Sequence, residues 1–352
     1  MDPGGGYTEI RRQQRHGFRL GSRPWLVAAV LAAAVARAPA ADAAPPGQPG
    51  SGAAAPPSFH FTVTSDLHLR VANYGRVLDA IQTNSGGQGA FQVSIGDICD
   101  RAGQTPATMR ELIDAHFGAA AVWYPGVGNH DASVAATSAS MTWRRAEFST
   151  GNGVRRPLRA TVLHPGPAGT AETTYSWDYA NAHFVMLNEY WDGASAPGSD
   201  VATDGDIVPE LRVWLAADLA ANRRPFVFVF GHEPAYPELR HQDNSLNRYP
   251  DNRDAFWHVL ARHHVQAFIC GHVHYYYKGQ HDGVWEISDG NAGNGDKVHY
   301  QSYLDVIVGP AQAIIKVWQN GADGSTVWHL ADTIMLPAAA PGIAAPEPVA
   351  SR

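Results

Sequence analysis

The 352-residue sequence predicts an α/β fold. Three observations point there. Short runs rich in β-branched and aromatic residues recur along the chain. Stretches with apolar residues at helical spacing lie between them. The early runs end in polar clusters rich in Asp, Asn or His. Strands alternating with helices define the α/β class, and apolar runs of this length bounded by Gly suit buried strands.

In chain order, Phe59 to Ser65 is the first strand and runs into Asp66-Leu-His68. Gly75 to Thr83 follows as a helix with Val77, Leu78 and Ile81 on one face. The strand Phe91 to Ile95 runs into Gly96-Asp97. Thr105 reads as an N-cap and Pro106 as the first residue of a helix reaching about His116. Val122 to Val127 runs into Gly128-Asn129-His130-Asp131. Thr173 to Tyr179 and His183 to Leu187, on either side of Asn181, read as a hairpin. Pro209 to Ala221 gathers Leu211, Trp214, Leu215 and Leu219 on one helical face. Pro225 to Phe230 runs into Gly231-His232, and Asp251 to His263 is an Asp-capped helix. Val265 to Cys270 runs into Gly271-His272-Val273-His274. Beyond Gly283, the runs Val284 to Ser288, Leu304 to Val308, Ala313 to Trp318 and Thr326 to Leu330 are mostly β. Two packed sheets flanked by helices accommodate the whole set.

The ends of the chain differ from its body. Residues 1–24 are polar and Arg-rich, Trp25 to Ala36 is apolar, and Ala-x-Ala sites follow at Ala38-Pro39-Ala40 and Ala41-Asp42-Ala43. Basic, apolar, small is the order of a secretory signal. Residues 1–43 are therefore read as a signal peptide, which implies a secreted or periplasmic protein. An uncleaved anchor is the alternative, but the apolar run is short of the ~20 residues of a membrane span. No stable membrane span is expected. Arg11-Arg12 lacks the residues that follow the pair in a twin-arginine signal. Residues 44–57 are a Pro/Gly/Ala-rich linker, 58–336 the folded domain and 337–352 a disordered tail.

Composition narrows the function. With 45% hydrophobic residues the chain is not wholly disordered. Without the first 43 residues it holds 20 basic against 30 acidic side chains. An acidic body suits neither phosphate-backbone binding nor a nucleic-acid partner. It does not exclude phosphate chemistry, because bound divalent cations reverse the local field. Two cysteines, Cys99 and Cys270, rule out a disulfide scaffold and a Cys-ligated zinc module. Export would allow the pair to bridge; buried free thiols are the alternative.

The polar clusters carry the chemistry. In open α/β sheets, ligands bind beyond the carboxyl ends of strands, where these clusters sit. Asp66/His68 and His272/His274 have i, i+2 spacing, which on extended backbone points both side chains one way. A donor set of carboxylate oxygen and imidazole nitrogen, with no thiolate, suits Mn, Fe or Zn. Seven such groups, one carboxylate among them able to bridge, are easier to account for with two metals than with one.

Asp66-x-His68, Gly96-Asp97-x-x-Asp100, Gly128-Asn129-His130-Asp131, His232 and Gly271-His272-x-His274 together resemble the signature of calcineurin-like metallophosphoesterases, in order and over most of Ser58 to Val308. The resemblance implies a four-layer αββα sandwich with two mixed sheets. It implies that Asp66, His68 and His274 hold one divalent metal, that Asn129, His232 and His272 hold another, and that Asp97 bridges them. It also implies that His130 sits beside the substrate phosphate with Asp100 orienting it. Purple acid phosphatases, in the same superfamily, carry a Tyr ligand at the position of Asp100, so the likeness is to the Asp-bearing branches. The implied reaction is hydrolysis of a small phosphate mono- or diester, with hydroxide formed between the two cations attacking phosphorus. A nucleotidase or pyrophosphohydrolase, and a metal-bound extracellular binding module without turnover, are the alternatives. Tyr275 and Tyr236 are candidate pocket-lining residues, although packed rings explain Tyr275 to Tyr277 equally well. His164, His183, His241, His263, His264, His281, His299 and His329 match no block and read as ordinary surface or core residues.

Overall fold

The computed structural model describes residues 58–339, apart from 102, 133–137, 149–153, 156–159, 162–163, 195–203, 294–298 and 322–324. The expected signal peptide, the linker and the tail from residue 340 lie outside the described residues. Strand β1 (Phe59–Thr64), helix α1 (Val71–Ala80), β2 (Gln92–Ser94), α2 (Ala107–Phe117) and β3 (Trp123–Pro125) open the fold. The short α3 (Asn129–Ala132), α4 (Ala139–Phe148), β4 (Val154–Arg155), β5 (Ala160–Thr161) and β6 (His164–Pro165) lead to the hairpin β7 (Tyr175–Tyr179) and β8 (Ala182–Met186). Then come α5 (Pro209–Ala221), β9 (Phe226–Phe230), α6 (Pro250–Arg262) and β10 (Ala267–Cys270). Five strands finish the fold: β11 (Tyr276–His281), β12 (Val284–Asp289), β13 (Ser302–Val308), β14 (Gln312–Asn320) and β15 (Trp328–Pro337).

Among the described residues the strands form a six-stranded sheet, β15-β14-β13-β1-β2-β3, a seven-stranded sheet, β11-β12-β10-β9-β8-β7-β6, and a small β4-β5 ladder. Both large sheets are mixed. β1, β2 and β3 run parallel, as do β8, β9, β10 and β12. The β1-β2-β3 and β8-β9-β10 connections carry helices, because a parallel crossover needs a long return path, whereas β10 reaches the parallel β12 through the antiparallel β11.

Strand alternation sorts the core into layers. On β9, Phe226, Phe228 and Phe230 join the cluster that includes Phe61 and Val63 of β1 and Val93 of β2, whereas Val227 and Val229 join α5 and α6 residues Leu211, Leu215, Phe256 and Leu260. β8 and β10 divide the same way: Phe184, Met186 and Ile269 face the other sheet, and Val185, Phe268 and Cys270 face the helices. Period-2 side chains thus give the strands two apolar faces. Rings fill the space between the sheets. Phe61 meets Phe184 and Phe228 edge-on at 5.2 and 5.7 Å, and Tyr124 stacks on Trp177 at 3.9 Å.

Local signals were less exact than the pattern. α5 spans the expected Pro209–Ala221 with Pro at its first turn. α2 has Pro106 itself at the N-cap position and no side-chain cap, so Thr105 is not the capping residue. α6 begins one residue early, at Pro250, which leaves Asp251 inside the first turn, where an acid favours the helix dipole without capping. β15 reaches Pro337, and the main chain continues to pair, Ala338 N with Ala311 O and Ala339 N with Pro225 O. The folded body therefore passes the expected boundary at 336.

Candidate metal centre

Five loops at the ends of β1, β2, β3, β9 and β10 carry the site residues. The expected reason for the Asp66/His68 and His272/His274 pairings is corrected here. All four residues, and Asp97, have left-handed backbone, with φ between 46° and 67°. Sharp turns, not extended chain, bring each pair together. Such conformations cost on the order of 1–3 kcal/mol each and persist only where surrounding structure fixes them. Main-chain hydrogen bonds between loops do so: His68 N to Asp97 O at 2.9 Å, Asp66 N to Gly96 O at 3.3 Å and Gly293 N to Asp66 O at 3.1 Å. Two glycines are demanded by close approach. A Cβ on Gly128 would lie 2.2 Å from Asp97 Oδ1, and one on Gly271 would lie 2.7 Å from Asp66 Oδ2.

The side chains converge. Ligand-type atoms of Asp66, His68, Asp97 and His274 that could hold a metal ion all lie within 4.8 Å of one another, and so do those of His68, Asp100 and His130. Asp66 Oδ1 is 3.1 Å from His274 Nε2 and 3.8 Å from His68 Nε2. Asp97 Oδ2 is 3.7 Å from His68 Nε2 and 3.4 Å from His232 Nε2. The Asp97 carboxylate thus stands between His68 and His232. The His272 ring lies 5.2 Å from that of His232. Asn129 opens α3, next to His130, whose N–H donates to Asp97 Oδ1 at 2.8 Å.

This donor set fits a cation centre. His232 Nδ1 donates to the Ile95 carbonyl at 2.7 Å and His272 Nε2 to the Asn244 carbonyl at 3.1 Å, because a carbonyl can only accept. Each bond commits one ring nitrogen as the donor and leaves the other to face the site, the arrangement a ligating imidazole uses. Asn129 Oδ1 and His232 Nε2 are buried without a hydrogen-bond partner, an arrangement that is expensive unless a ligand completes it. Electrostatics agree. Burial opposes the Asp66 carboxylate, yet His274, His68 and His232 outweigh it and hold the group well below the usual range. Asp97 is likewise held low, against burial, by His232 and His68. Burial, then His232 and His241, hold His272 far below the ordinary imidazole value, so its ring is neutral.

The contact between Asp100 and His130 differs from the expected dyad. His130 Nδ1 donates to the main-chain carbonyl of Asp100 at 2.9 Å, while the Asp100 carboxylate lies 3.6 Å from His68 Nδ1. A peptide carbonyl orients the ring, and the carboxylate leans toward a metal-ligand candidate. Asp131 anchors the loops. Its carboxylate accepts from Ile98 N, Cys99 N, Gly128 N and Ser140 Oγ and pairs with the buried Arg144 at 3.2 Å.

Other expectations change. Tyr236 packs against Trp257, His281 and Arg253. Tyr275 and Tyr277 are buried with Val273, and the Tyr275 hydroxyl accepts from Leu239 N. Packing thus holds these rings, with Tyr275 buried and Tyr236 half-buried. Cys99 and Cys270 are buried and unbridged, and burial pushes both thiols up, so they are inert.

The sequence pattern missed several neighbours. The His241 ring lies 4.0 Å from that of His272; its Nε2 accepts from Arg240 and its Nδ1 donates to Asn244 Oδ1. No motif marks this loop. Beneath His232, buried Glu189 accepts from Glu233 N, and Tyr190 donates to Glu233 Oε1. Glu189 follows β8 as the other site residues follow their strands, so the strand-end rule would have reached it.

A mixed pair of sheets whose parallel strands pool carboxylates and imidazoles at one edge is the framework of a metal-dependent phosphoesterase. The family of calcineurin-like phosphoesterases matches residues 59–276, and the chain belongs to it. An acid phosphatase of Aspergillus ficuum is 24% identical over 51% of the chain and 39% of its own length. Purple acid phosphatase 22 of Arabidopsis thaliana is 31% identical over 34% of the chain and 24% of its own length. The matched part thus spans well under half of either curated relative. A dimetal phosphatase from Danio rerio shares the fold with a TM-score of 0.55 at 15% identity, over 80% of this chain and 99% of that one. PhoD does so at 0.50 and 12% identity, over 81% and 73%.

Proposed function

We propose that the chain is an exported phosphoesterase with two divalent metals, acting on small phosphate mono- or diesters. The observation that carries this is the Asp97 carboxylate set between His68 and His232, with Asp66 and His274 beside it. Asp66, His68 and His274 would hold one cation, Asn129, His232 and His272 the other, and Asp97 both. The donors accept Mn, Fe or Zn. Bound there, two such ions would lower the pKa of a water and neutralise phosphate charge.

The protein's own groups do the rest. His130 Nδ1 is committed to the Asp100 carbonyl, so Nε2 is the atom left to meet the ester; as an imidazolium the ring would hand its Nε2 proton to the leaving oxygen and end neutral. The His130 ring stands edge-on to His68 at 4.8 Å, which fixes its distance from the metal ligands. The Arg240 guanidinium, beside His241, adds fixed positive charge near His272. Asp100 in place of tyrosine argues for an enzyme without the tyrosinate colour of purple acid phosphatases. The Arg-rich, apolar, then Ala-x-Ala order of residues 1–43 supports export. No helix among the described residues is long and apolar enough to cross a membrane.

The test is turnover of p-nitrophenyl phosphate against bis-p-nitrophenyl phosphate by the purified protein with Mn²⁺, with and without chelator. Chelator-sensitive turnover of either is expected, and the preferred ester separates phosphatase from phosphodiesterase. His130→Ala should lower kcat by roughly 10²- to 10⁴-fold with Mn²⁺ affinity unchanged. Unaltered hydrolysis in that variant would remove His130 from the reaction. A wild-type protein that binds Mn²⁺ but turns over neither ester, nor nucleotides or pyrophosphate, would be the binding module instead.

A further inference from the structure

Asp66 presents its two oxygens differently. Oδ1 faces the imidazoles of the metal centre, and Oδ2 faces inward, accepting from Ser65 Oγ at 2.6 Å and from His272 N at 3.0 Å. The same Ser65 hydroxyl also contacts Asp289 Oδ1, at the end of β12. Ser65, Asp66 and Asp289 are all wholly buried. A hydroxyl has one hydrogen to donate. Two ionised carboxylates cannot both be satisfied by it, and a buried unsatisfied carboxylate is heavily penalised. A single shared proton satisfies the trio: one carboxyl is a neutral acid donating to Ser65 Oγ, and Ser65 donates to the other, ionised carboxylate.

We propose that Asp289 is a neutral carboxylic acid which, through Ser65, holds Asp66 so that Oδ1 faces the metal centre. Both are positioning residues; neither touches metal or substrate. The direction of the chain follows from the surroundings. Besides Ser65, Asp66 has His272 N donating to Oδ2 at 3.0 Å and the His274 and His68 rings 3.1 and 3.8 Å from Oδ1, so the negative charge belongs there; Asp289 Oδ2 is buried without a hydrogen-bond partner. Burial, with the neighbouring Asp66 charge, also pushes the Asp289 carboxyl well above the usual range. The loop cannot slide out of register, because Ala292 N donates to Ser65 O at 2.9 Å and Gly293 N to Asp66 O at 3.1 Å.

The inference rests on reading Asp66 as a metal ligand, so its test has a separate arm. Infrared difference spectra of metal-free wild type minus Asp289→Asn should contain the carbonyl stretch of a protonated carboxyl. A difference showing only carboxylate bands overturns the neutral acid, whatever metal does. Mn²⁺ titration calorimetry is the second arm. Asp289→Asn keeps an N–H donor toward Ser65 and should bind Mn²⁺ within about threefold of wild type. Ser65→Ala and Asp289→Ala should bind roughly 10- to 100-fold more weakly, as removal of groups that orient a ligand does. Wild-type affinity in Ser65→Ala overturns the positioning role. Should Asp289→Ala fail to fold by circular dichroism, Ser65→Ala and Asp289→Asn decide. If wild type binds no Mn²⁺, the metal reading falls with the positioning role, while the infrared arm still decides the proton.

Discussion

At the residue scale, the site depends on side chains held by backbone that they do not themselves favour. Asp66, His68, Asp97, His272 and His274 all sit in the left-handed region. Glycine beside them is a space requirement rather than a preference for flexibility. Gly128→Ala would drive its Cβ into Asp97 Oδ1. Asp97 would have to move, and with it the carboxylate placed between His68 and His232. The expected outcome is at least a tenfold loss of Mn²⁺ affinity by calorimetry, with lower turnover. Wild-type affinity in that variant would show that Asp97 does not need its present position. Asp131 makes the opposite kind of contribution. It touches no candidate ligand's metal-facing atom but satisfies three loop N–H groups at once.

At the element scale, β9 shows how one strand serves two layers. Its sequence is apolar at every position, so no face could be assigned from polarity. The packing assigns them: Phe226, Phe228 and Phe230 to the other sheet, Val227 and Val229 to α5 and α6. Phe228 is fully buried against Phe61 and Phe184. Phe228→Ala should cost about 3–5 kcal/mol, the range for a large ring removed from a close-packed core. Urea unfolding would measure it. A loss below about 1 kcal/mol would mean that the space between the sheets can collapse around the missing ring. His232 lies two residues past the end of β9, so its position in the site follows from this packing.

At the scale of the whole molecule, charge ties the edge of the seven-stranded sheet to its covering helix. His183 donates from Nδ1 to Asp178 and from Nε2 to Asp218, both at 2.8 Å, so its ring is an imidazolium. Asp218 also meets His164 and Ser176, and Asp178 meets Arg224. Burial opposes the charged ring, but Asp218 and Asp178 outweigh it and raise its pKa. A raised folded-state value contributes stability that is complete below the unfolded pKa of about 6.5 and is lost as pH rises through the folded value. Asp218 is held low by His183 against burial, so its share is present above the unfolded carboxylate value and fades as pH falls. The melting temperature, followed by circular dichroism, should therefore decline on the alkaline side of about pH 6.5. His183→Gln should flatten that decline. Parallel profiles for the two proteins would remove the network from the pH response. His164 and His183 match no motif block, and the structure makes them members of this network rather than ordinary surface or core residues.

The sequence by itself determined the fold class, the strand ends and the residue types of the site. Apolar runs must be buried, and Gly with Asp, Asn or His after each run can only lie where strands stop. Spacing along the chain is local information, and for α5 it was sufficient. Only the tertiary structure decided what meets what. His241 lies beside His272, the Asp100 carbonyl holds His130, and Asp289 reaches Asp66 through Ser65 across 223 positions of sequence. These contacts carry no motif because each depends on how two sheets and five loops stack in space. Tyr275 and Tyr236 show the same limit from the other side. Their place next to site residues in the chain suggested a pocket, and in the fold Tyr275 is buried with Val273 and Tyr277 while Tyr236 is half-buried against Trp257.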